Sequence, residues 1–260
     1  MSRDFELLQR VEQARNGVDS RHSSIDGDPG RINGYGARID IAQVEVSPFT
    51  SPTALLDPAI RSQLSKLVLA TFLSGATARV AMFTGVEAQV GAKWITGCVG
   101  EVLASAVKDR VCIIDADLAL PSIHRYFSIP NECGLAALLW EASPVTHATR
   151  RIGENLWILP TGIRAGAAEL TPAIWKACIK ELLLHFDYIV ISAPDCERYA
   201  GIAVIGAAAD GAVMVLDANS TKRVTARNAK CALDAAQIKI IGSVLNNRSL
   251  PIPDFVYARL

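Results

Sequence analysis

The sequence predicts an α/β fold in three layers, a parallel β-sheet with helices on both faces. Three observations predict it. Apolar, β-branched runs of strand length recur from residue 79 onward. Patterns of helical spacing separate them, as expected of a parallel sheet covered on both sides. The 260 residues, 50% hydrophobic and 20% charged, supply ample core and exclude a wholly disordered chain. At roughly 150 residues per domain, that length suits one large domain with an extension.

The elements follow in order. Residues 3–15 form a short amphipathic helix pattern, with Phe5, Leu8 and Val11 (or Leu7) on one side. Residues 16–36 are rich in Gly, Asp, Ser, Asn and Pro and read as a flexible linker, because they hold too little apolar surface to offset their ordering entropy. Residues 37–53 fit no pattern. Residues 54–73 read as a helix, with Leu55, Leu56, Ile60, Leu64, Leu67 and Leu69 at helical spacing. Strands are expected at 79–84, 110–114, 155–160, 187–192, 211–216 and 238–244. Helices are expected at 92–107, 134–142, 168–185, 199–208 and 221–235. The predicted organisation is an extension at 1–53, an α/β domain at 54–250 and a tail at 251–260. Right-handed crossovers then place functional loops at the carboxyl ends of the strands.

Composition narrows the classes of function. Lys+Arg and Asp+Glu both number 26, so the formal net charge is zero. No global field draws nucleic acid or anionic lipid, and nucleic acid is not an expected partner. No apolar run reaches the roughly 18 residues of a membrane span. The stretch MSRDFELLQRVEQAR lacks the apolar core of a signal peptide, so a cytoplasmic location with reduced thiols is expected. The six cysteines (98, 112, 133, 178, 196 and 231) and four histidines (22, 124, 147 and 185) show no zinc spacing. Cys112 and Cys178 read as small core residues. Trp140 and Trp175 read as packing residues in amphipathic segments.

The first strong strand runs into a glycine-bearing loop, Gly85-Val86-Glu87-Ala88-Gln89-Val90-Gly91, and then a helix. That is the setting of a P-loop, whose backbone N–H groups and helix dipole hold phosphates. The pattern G-x-x-x-x-G-K-[ST] is nearly met and then fails. Ala92 stands where the lysine belongs, Lys93 where the magnesium-binding hydroxyl belongs, and Trp94 follows. One residue turns a helical side chain by about 100°, so Lys93 does not replace the missing lysine. Thr96 comes a full turn too late. Taken alone, the loop fits an ordinary strand-to-helix turn better than a damaged nucleotide site.

Further segments change that balance. Cys112-Ile-Ile-Asp115-Ala-Asp117-Leu-Ala-Leu-Pro121-Ser-Ile-His124-Arg-Tyr-Phe127, followed by Gly134-Leu135, resembles the hydrophobic-DxD (Walker A′) motif of bacterial tyrosine kinases of capsule and exopolysaccharide synthesis. Asn155–Gly162 is similar to their NLxVLPxG strand. Phe186–Pro194 resembles FDYVIIDTPP, Ala209–Gly211 resembles ADG, and Gly242–Asn246 resembles GxVLN. The motifs fall in order over residues 55–248. The resemblance implies a P-loop NTPase-like domain of the deviant MinD/ParA type, with ATP or ADP and magnesium as cofactors. The nucleotide would meet Val86, Glu87, Ala88, Gln89, Val90, Gly91, Ala92, Lys93 and Asn246. Asp115 and Asp117 would handle magnesium and the attacking hydroxyl.

The departures from the pattern have their own implications. The P-loop lysine is Ala92, the Walker B aspartate is Ser192, and the arginines after DxD are Ala119 and Leu120. The C-terminal tyrosine cluster is reduced to Tyr257 as phosphoacceptor. Phosphoryl transfer works by positioning and charge neutralisation, so these losses remove most of its machinery. The expectation is a degenerate pseudo-enzyme regulating polysaccharide synthesis or export. It would dock to the cytoplasmic segment of a membrane chain-length or export protein and reach the membrane only through that partner, and a homo-oligomer is a further partner the resemblance implies. The alternatives are an active tyrosine kinase using Asp115, Asp117 and Lys93, and a MinD/ParA-like positioning ATPase.

Bland readings stand beside these. Asp115 and Asp117 equally fit a turn and helix cap before Pro121. Asp195, three residues after the Walker B position, is a weak stand-in for the lost acid. His124 and Phe127 fit packing and capping. Arg223, Arg227 and Lys230 share one helical face, most simply a solvated one.

Overall fold

The computed structural model describes residues 52–74, 78–163, 169–197 and 201–248. The 3–15 helix, the 16–36 linker and Tyr257 lie outside them. A 3₁₀ turn, Pro52–Leu55, precedes helix α1, Pro58–Val68. A π-helical turn, Leu69–Leu73, continues it. The helix expected at 54–73 is thus three pieces. Pro58 has no N–H to extend a helix backward and suits the first helical position. Asp57 caps α1 by accepting from the Ala59 N–H at 2.7 Å.

The remaining elements are β1 (Val80–Gly85), α2 (Ala92–Ala106), β2 (Val111–Asp115), α3 (Ile123–Tyr126), α4 (Leu135–Trp140), α5 (Val145–Ala148), β3 (Arg150–Arg151), β4 (Leu156–Leu159), α6 (Pro172–His185), β5 (Tyr188–Ser192), α7 (Ile202–Gly206), β6 (Gly211–Asp217), α8 (Arg223–Ala235) and β7 (Ile240–Asn246). The seven strands lie in the order β3-β4-β2-β5-β1-β6-β7. Only the β3–β4 pair is antiparallel. Every residue of β1, β2 and β4 is buried, which is why these strands read as continuous apolar runs.

Two cores flank the sheet. On one face Met82, Ile114, Leu159, Ile191 and Met214 meet Trp175 and Leu182 of α6, Ile205 of α7 and Leu233 of α8. The Trp175 indole N–H donates to the Ile205 carbonyl at 2.8 Å, so its burial leaves no donor unpaired. On the other face Phe83, Ile113, Val190 and Val213 meet Leu64 and Val68 of α1 and Ile95, Val99 and Leu103 of α2. Each large side chain so buried contributes about 1.5–3 kcal/mol of transfer free energy.

Several bounds differ from the sequence expectation, each for a local reason. The helix expected at 168–185 starts at Pro172, capped by Thr171 accepting from the Ile174 N–H. The strand expected at 238–244 runs instead from Ile240 to Asn246. Ile238 belongs to the turn after α8, where Gln237 has φ 57° and the Ile238 N–H donates to Leu233. It is buried against Gly206, so it mimics a strand residue in the sequence. The two-residue β3 and the four-residue α3 and α5 were too short to give a period. Cys112 is buried on β2 and Cys178 half-buried on α6, as core residues, and burial raises both thiol pKa values. Among the described residues, no helix is long and apolar enough to cross a membrane.

Candidate functional site

The site lies at the carboxyl end of the sheet, where β1, β2 and β5 end side by side. β1 ends in Gly85, whose lack of a side chain is required. A Cβ there would lie 2.4 Å from Asp195 Oδ1 and 2.8 Å from the Glu87 carbonyl. The loop then closes through two left-handed residues, Gln89 at φ 65° and Gly91 at φ 81°. A Cβ on Gly91 would meet Asn246 Nδ2 at 2.4 Å, so glycine serves both the conformation and the close approach. Asn246, near the end of β7, donates from Nδ2 to the Val90 carbonyl at 3.0 Å. It clamps the loop.

The loop's own donors remain unspent. The Val86 N–H bonds the Val215 carbonyl at 3.0 Å, and the Ile95 N–H returns to Gly91. The amides of residues 87, 88, 89 and 91 meet no acceptor among the described residues, while residues 88–89 form a turn. Unpaired main-chain donors in a partly buried loop are uncommon, and consecutive ones form an anion-attracting concavity.

Asp115 and Asp117 follow at the end of β2. Asp115 is fully buried. Its Oδ2 accepts from the Ser122 and Ile123 N–H groups at 2.7 and 2.9 Å, and its Oδ1 from the Asp117 N–H at 3.3 Å. It therefore holds the start of α3 in place. Burial raises its pKa; the N–H groups of Ile123 and Ser122, the Lys93 charge and the Asp117 N–H pull the other way. Asp117 Oδ1 accepts from the Ala119 and Leu120 N–H groups at 3.2 and 2.9 Å. Its Oδ2 carries the Lys93 ammonium at 2.5 Å. Lys93 donates also to the Leu120 carbonyl. One position past the expected lysine, Lys93 turns from the glycine loop and bridges to the loop after β2.

Ser192, at the Walker B position, pairs in register with Asp115 and Phe83. Its hydroxyl is buried and has no partner. The other predicted residues separate from the loop. Thr96 is buried and bonds the Ala92 carbonyl at 2.8 Å, and Trp94 packs against the core under α1. The His124 Nδ1 is buried without a partner; burial lowers its pKa, and Arg125 adds to that. Phe127 is core.

Sequence reasoning missed three contributions. Thr84 donates to the Pro194 carbonyl at 2.7 Å, and the Cys196 N–H to Gly85 at 2.9 Å, so the segment after β5 is laced over the loop. Glu87 has a buried carboxylate oxygen, Oε1, with no partner. Behind the site, Glu101 on α2 accepts from Thr53 Oγ1 at 2.8 Å and from Tyr126 Oη at 2.6 Å, with the Tyr126 ring laid on Gly97. A lone acid in the apolar pattern of α2 was the available signal for that cluster.

Magnesium, which the fold implies, is poorly matched to this arrangement. Every oxygen of Asp115 and Asp117 already accepts a hydrogen bond, and a cationic ammonium sits on the more accessible pair member. The P-loop hydroxyl and the Walker B carboxylate are Lys93 and Ser192. Among the described residues, no group of three or more His, Cys, Asp or Glu is placed to hold a metal ion.

A largely parallel sheet whose first central strand feeds a glycine loop and a helix defines a P-loop NTPase-type α/β protein. Comparison with known proteins agrees, although no protein-family model matches the chain. It is 30% identical over 182 residues to the tyrosine-protein kinase YwqD of Bacillus subtilis, which is 65% of this chain and 77% of that kinase. The chain belongs to the bacterial tyrosine-protein kinase family. It is also 31% identical over 119 residues to the septum site-determining protein MinD of Thermotoga maritima, 44% of each chain. Among solved structures, the chimerical protein CapA2B2 superimposes with a TM-score of 0.68 at 17% identity, over 80% of this chain and 96% of that one. The kinase domain of the Escherichia coli tyrosine kinase ETK gives 0.61 at 16% identity, over 85% and 99%.

Proposed function

We propose that this chain is a degenerate relative of the cytoplasmic tyrosine autokinases, a regulator of capsule or exopolysaccharide synthesis or export. It acts by docking, not by phosphoryl transfer. The observation that supports this best is the Lys93–Asp117 ion pair. It ties the helix after the glycine loop to the loop after β2 and occupies a carboxylate that a kinase of this pattern would keep for its chemistry. Ala92 leaves no ammonium over the phosphates, and Ser192 leaves no second acid. Positioning and charge neutralisation are what such catalysis consists of, and both are reduced here.

In this reading the chain's residues bind and orient. The amides of 87, 88, 89 and 91 would hold a phosphate, Asn246 would fix the loop, and Asp115 would keep α3 against the site. The partner is the cytoplasmic segment of a membrane polysaccharide chain-length or export protein, which would bring the chain to the inner face of the membrane. ATP or ADP is the nucleotide the resemblance implies.

Incubation of the full chain with radiolabelled ATP and magnesium, with and without such a segment, tests the proposal. The expected outcome is no label on Tyr257 or on the partner. Label that disappears in an Asp117→Asn variant would establish the active-kinase alternative instead.

A further inference from the structure

We propose that the free edge of β7, flanked by the arginines of α8, is a docking strip on which an acidic, extended segment of a partner protein adds itself to the sheet as a further strand. The inference concerns a surface other than the glycine loop and does not rest on the reading of that loop.

The edge itself comes first. β7 ends the strand order on one side, and among the described residues no strand lies beyond it. Its register against β6 sets Met214 beside Ser243 and Leu216 beside Leu245, and the Ala218 N–H donates to the Asn246 carbonyl at 2.9 Å. In a parallel pair, alternate residues turn their main-chain groups to the neighbour. Gly242, Val244 and Asn246 therefore bond β6, and the N–H and C=O groups of Ser243 and Leu245 point outward. Those groups meet no partner among the described residues. The register shift of this pair falls at the start of β7, which leaves Ser243–Asn246 regular. The strand carries no charged residue and no proline, two of the devices that blunt an edge, and Leu245 is 54% exposed.

Charge decides the occupant. α8 connects the parallel neighbours β6 and β7, and such crossovers are right-handed. Ala229 and Leu233 face the sheet. With about 100° of turn per residue, that hand brings the flank of Arg223, Arg227 and Lys230 over the open edge. Val244 packs into the core on the other face, so Ser243 and Leu245 stand on the α8 side, beneath that flank. Lys230 is paired with Asp234 at 2.5 Å, while Arg223 and Arg227 are exposed and bond no carboxylate among the described residues. Asp217, at the end of β6, is already held by Asn247 and by the Asn219 and Ser220 N–H groups. Exposed Lys239 and Arg248 carry the positive charge to both ends of the strand. Main-chain groups at strand spacing call for another strand, which a lipid headgroup does not supply, and carboxylates on that strand answer the arginines. A second copy is disfavoured, because β7 against β7 about a two-fold axis normal to the sheet sets two arginine flanks side by side.

Fluorescence anisotropy of the full chain tests this with a labelled peptide of alternating glutamate and valine, about ten residues long. Two control peptides carry lysine in place of glutamate, or N-methyl groups along the backbone. The glutamate peptide is expected to bind saturably and both controls at least about tenfold more weakly. Arg223→Glu combined with Arg227→Glu should weaken the glutamate peptide by about tenfold. Ser243→Pro removes an outward donor without touching the ladder to β6 and should weaken it by about as much. Urea midpoints confirm that the variants fold, and the N-methylated peptide gives the same reading without altering the protein. The inference is overturned if the glutamate peptide does not bind, if either control peptide matches it, or if the folded variants bind it as the parent does. It is overturned equally if the double arginine variant loses binding to phosphatidylserine vesicles while no peptide binds, or if the chain forms a dimer that Ser243→Pro dissolves, which would give the edge to a second copy.

Discussion

Asp115 shows how one residue can look catalytic and act structurally. A carboxylate at the end of a parallel strand is where chemistry is usually found. Here its oxygens hold main-chain N–H groups of α3 and of its own turn. Replacing it with alanine strands those donors in a buried place and should cost about 3 kcal/mol, read from the urea midpoint. Its titration has a defined sign. The folded-state pKa is raised, chiefly by burial, so the folded chain binds this proton more readily than the unfolded chain. The stabilisation it contributes is complete below the ordinary carboxylate pKa and is lost as pH rises through the raised value. Relative to Asp115→Asn, the parent should therefore lose stability between acidic pH and neutrality. A difference in midpoints that stayed flat or ran the other way would remove that account.

At the scale of elements, the α2–β2 contact sets how closely the site's helix approaches the sheet. Gly100 lies where a Cβ would come within 2.2 Å of Ile113 Cδ1 and 2.5 Å of its Cγ1. Gly100→Ala should destabilise by about 1–3 kcal/mol through overpacking, outweighing the roughly 1 kcal/mol that alanine gains in helix propensity. In an Ile113→Ala background the clash is gone and the same change should be neutral or favourable, a coupling that a double-mutant cycle in urea measures. Element bounds follow the same logic of contact. Ile238 looked like a strand residue because it is apolar and β-branched, yet it packs on Gly206 from a turn. Pro58 and Pro172 mark their helix starts, inside the spans 54–73 and 168–185 that apolar spacing alone predicts.

For the whole molecule, the alternation of apolar runs and helical patterns made the sheet legible, because burial on both faces leaves few polar residues to blur a strand. The glycine loop and the DxD pair were legible as local patterns. The Lys93–Asp117 bridge was not, since it depends on how α2 is angled against the loop after β2, 24 residues away. Neither was the Glu101 cluster, which joins three segments. The balanced charge also has a consequence at this scale. Besides Lys93–Asp117, the described residues hold ion pairs at Arg110–Asp187, Lys230–Asp234 and, when His185 is protonated, His185–Glu181. With net charge zero, raising sodium chloride to about 0.5 M should move unfolding stability by less than about 0.5 kcal/mol. A larger shift in the urea midpoint would reveal electrostatics that these pairs do not supply.

The Asn246 clamp carries a further consequence, one of timing. Its bond to Val90 spans 156 positions of the chain. β1 likewise finds its sheet neighbours only in β5 and β6, more than a hundred residues later. Contacts this distant form late, after the entropy of closing the intervening chain has been met. A chain emerging from the ribosome thus carries the glycine loop early but cannot set its shape until β7 has been synthesised, so the site is finished last although it is written first.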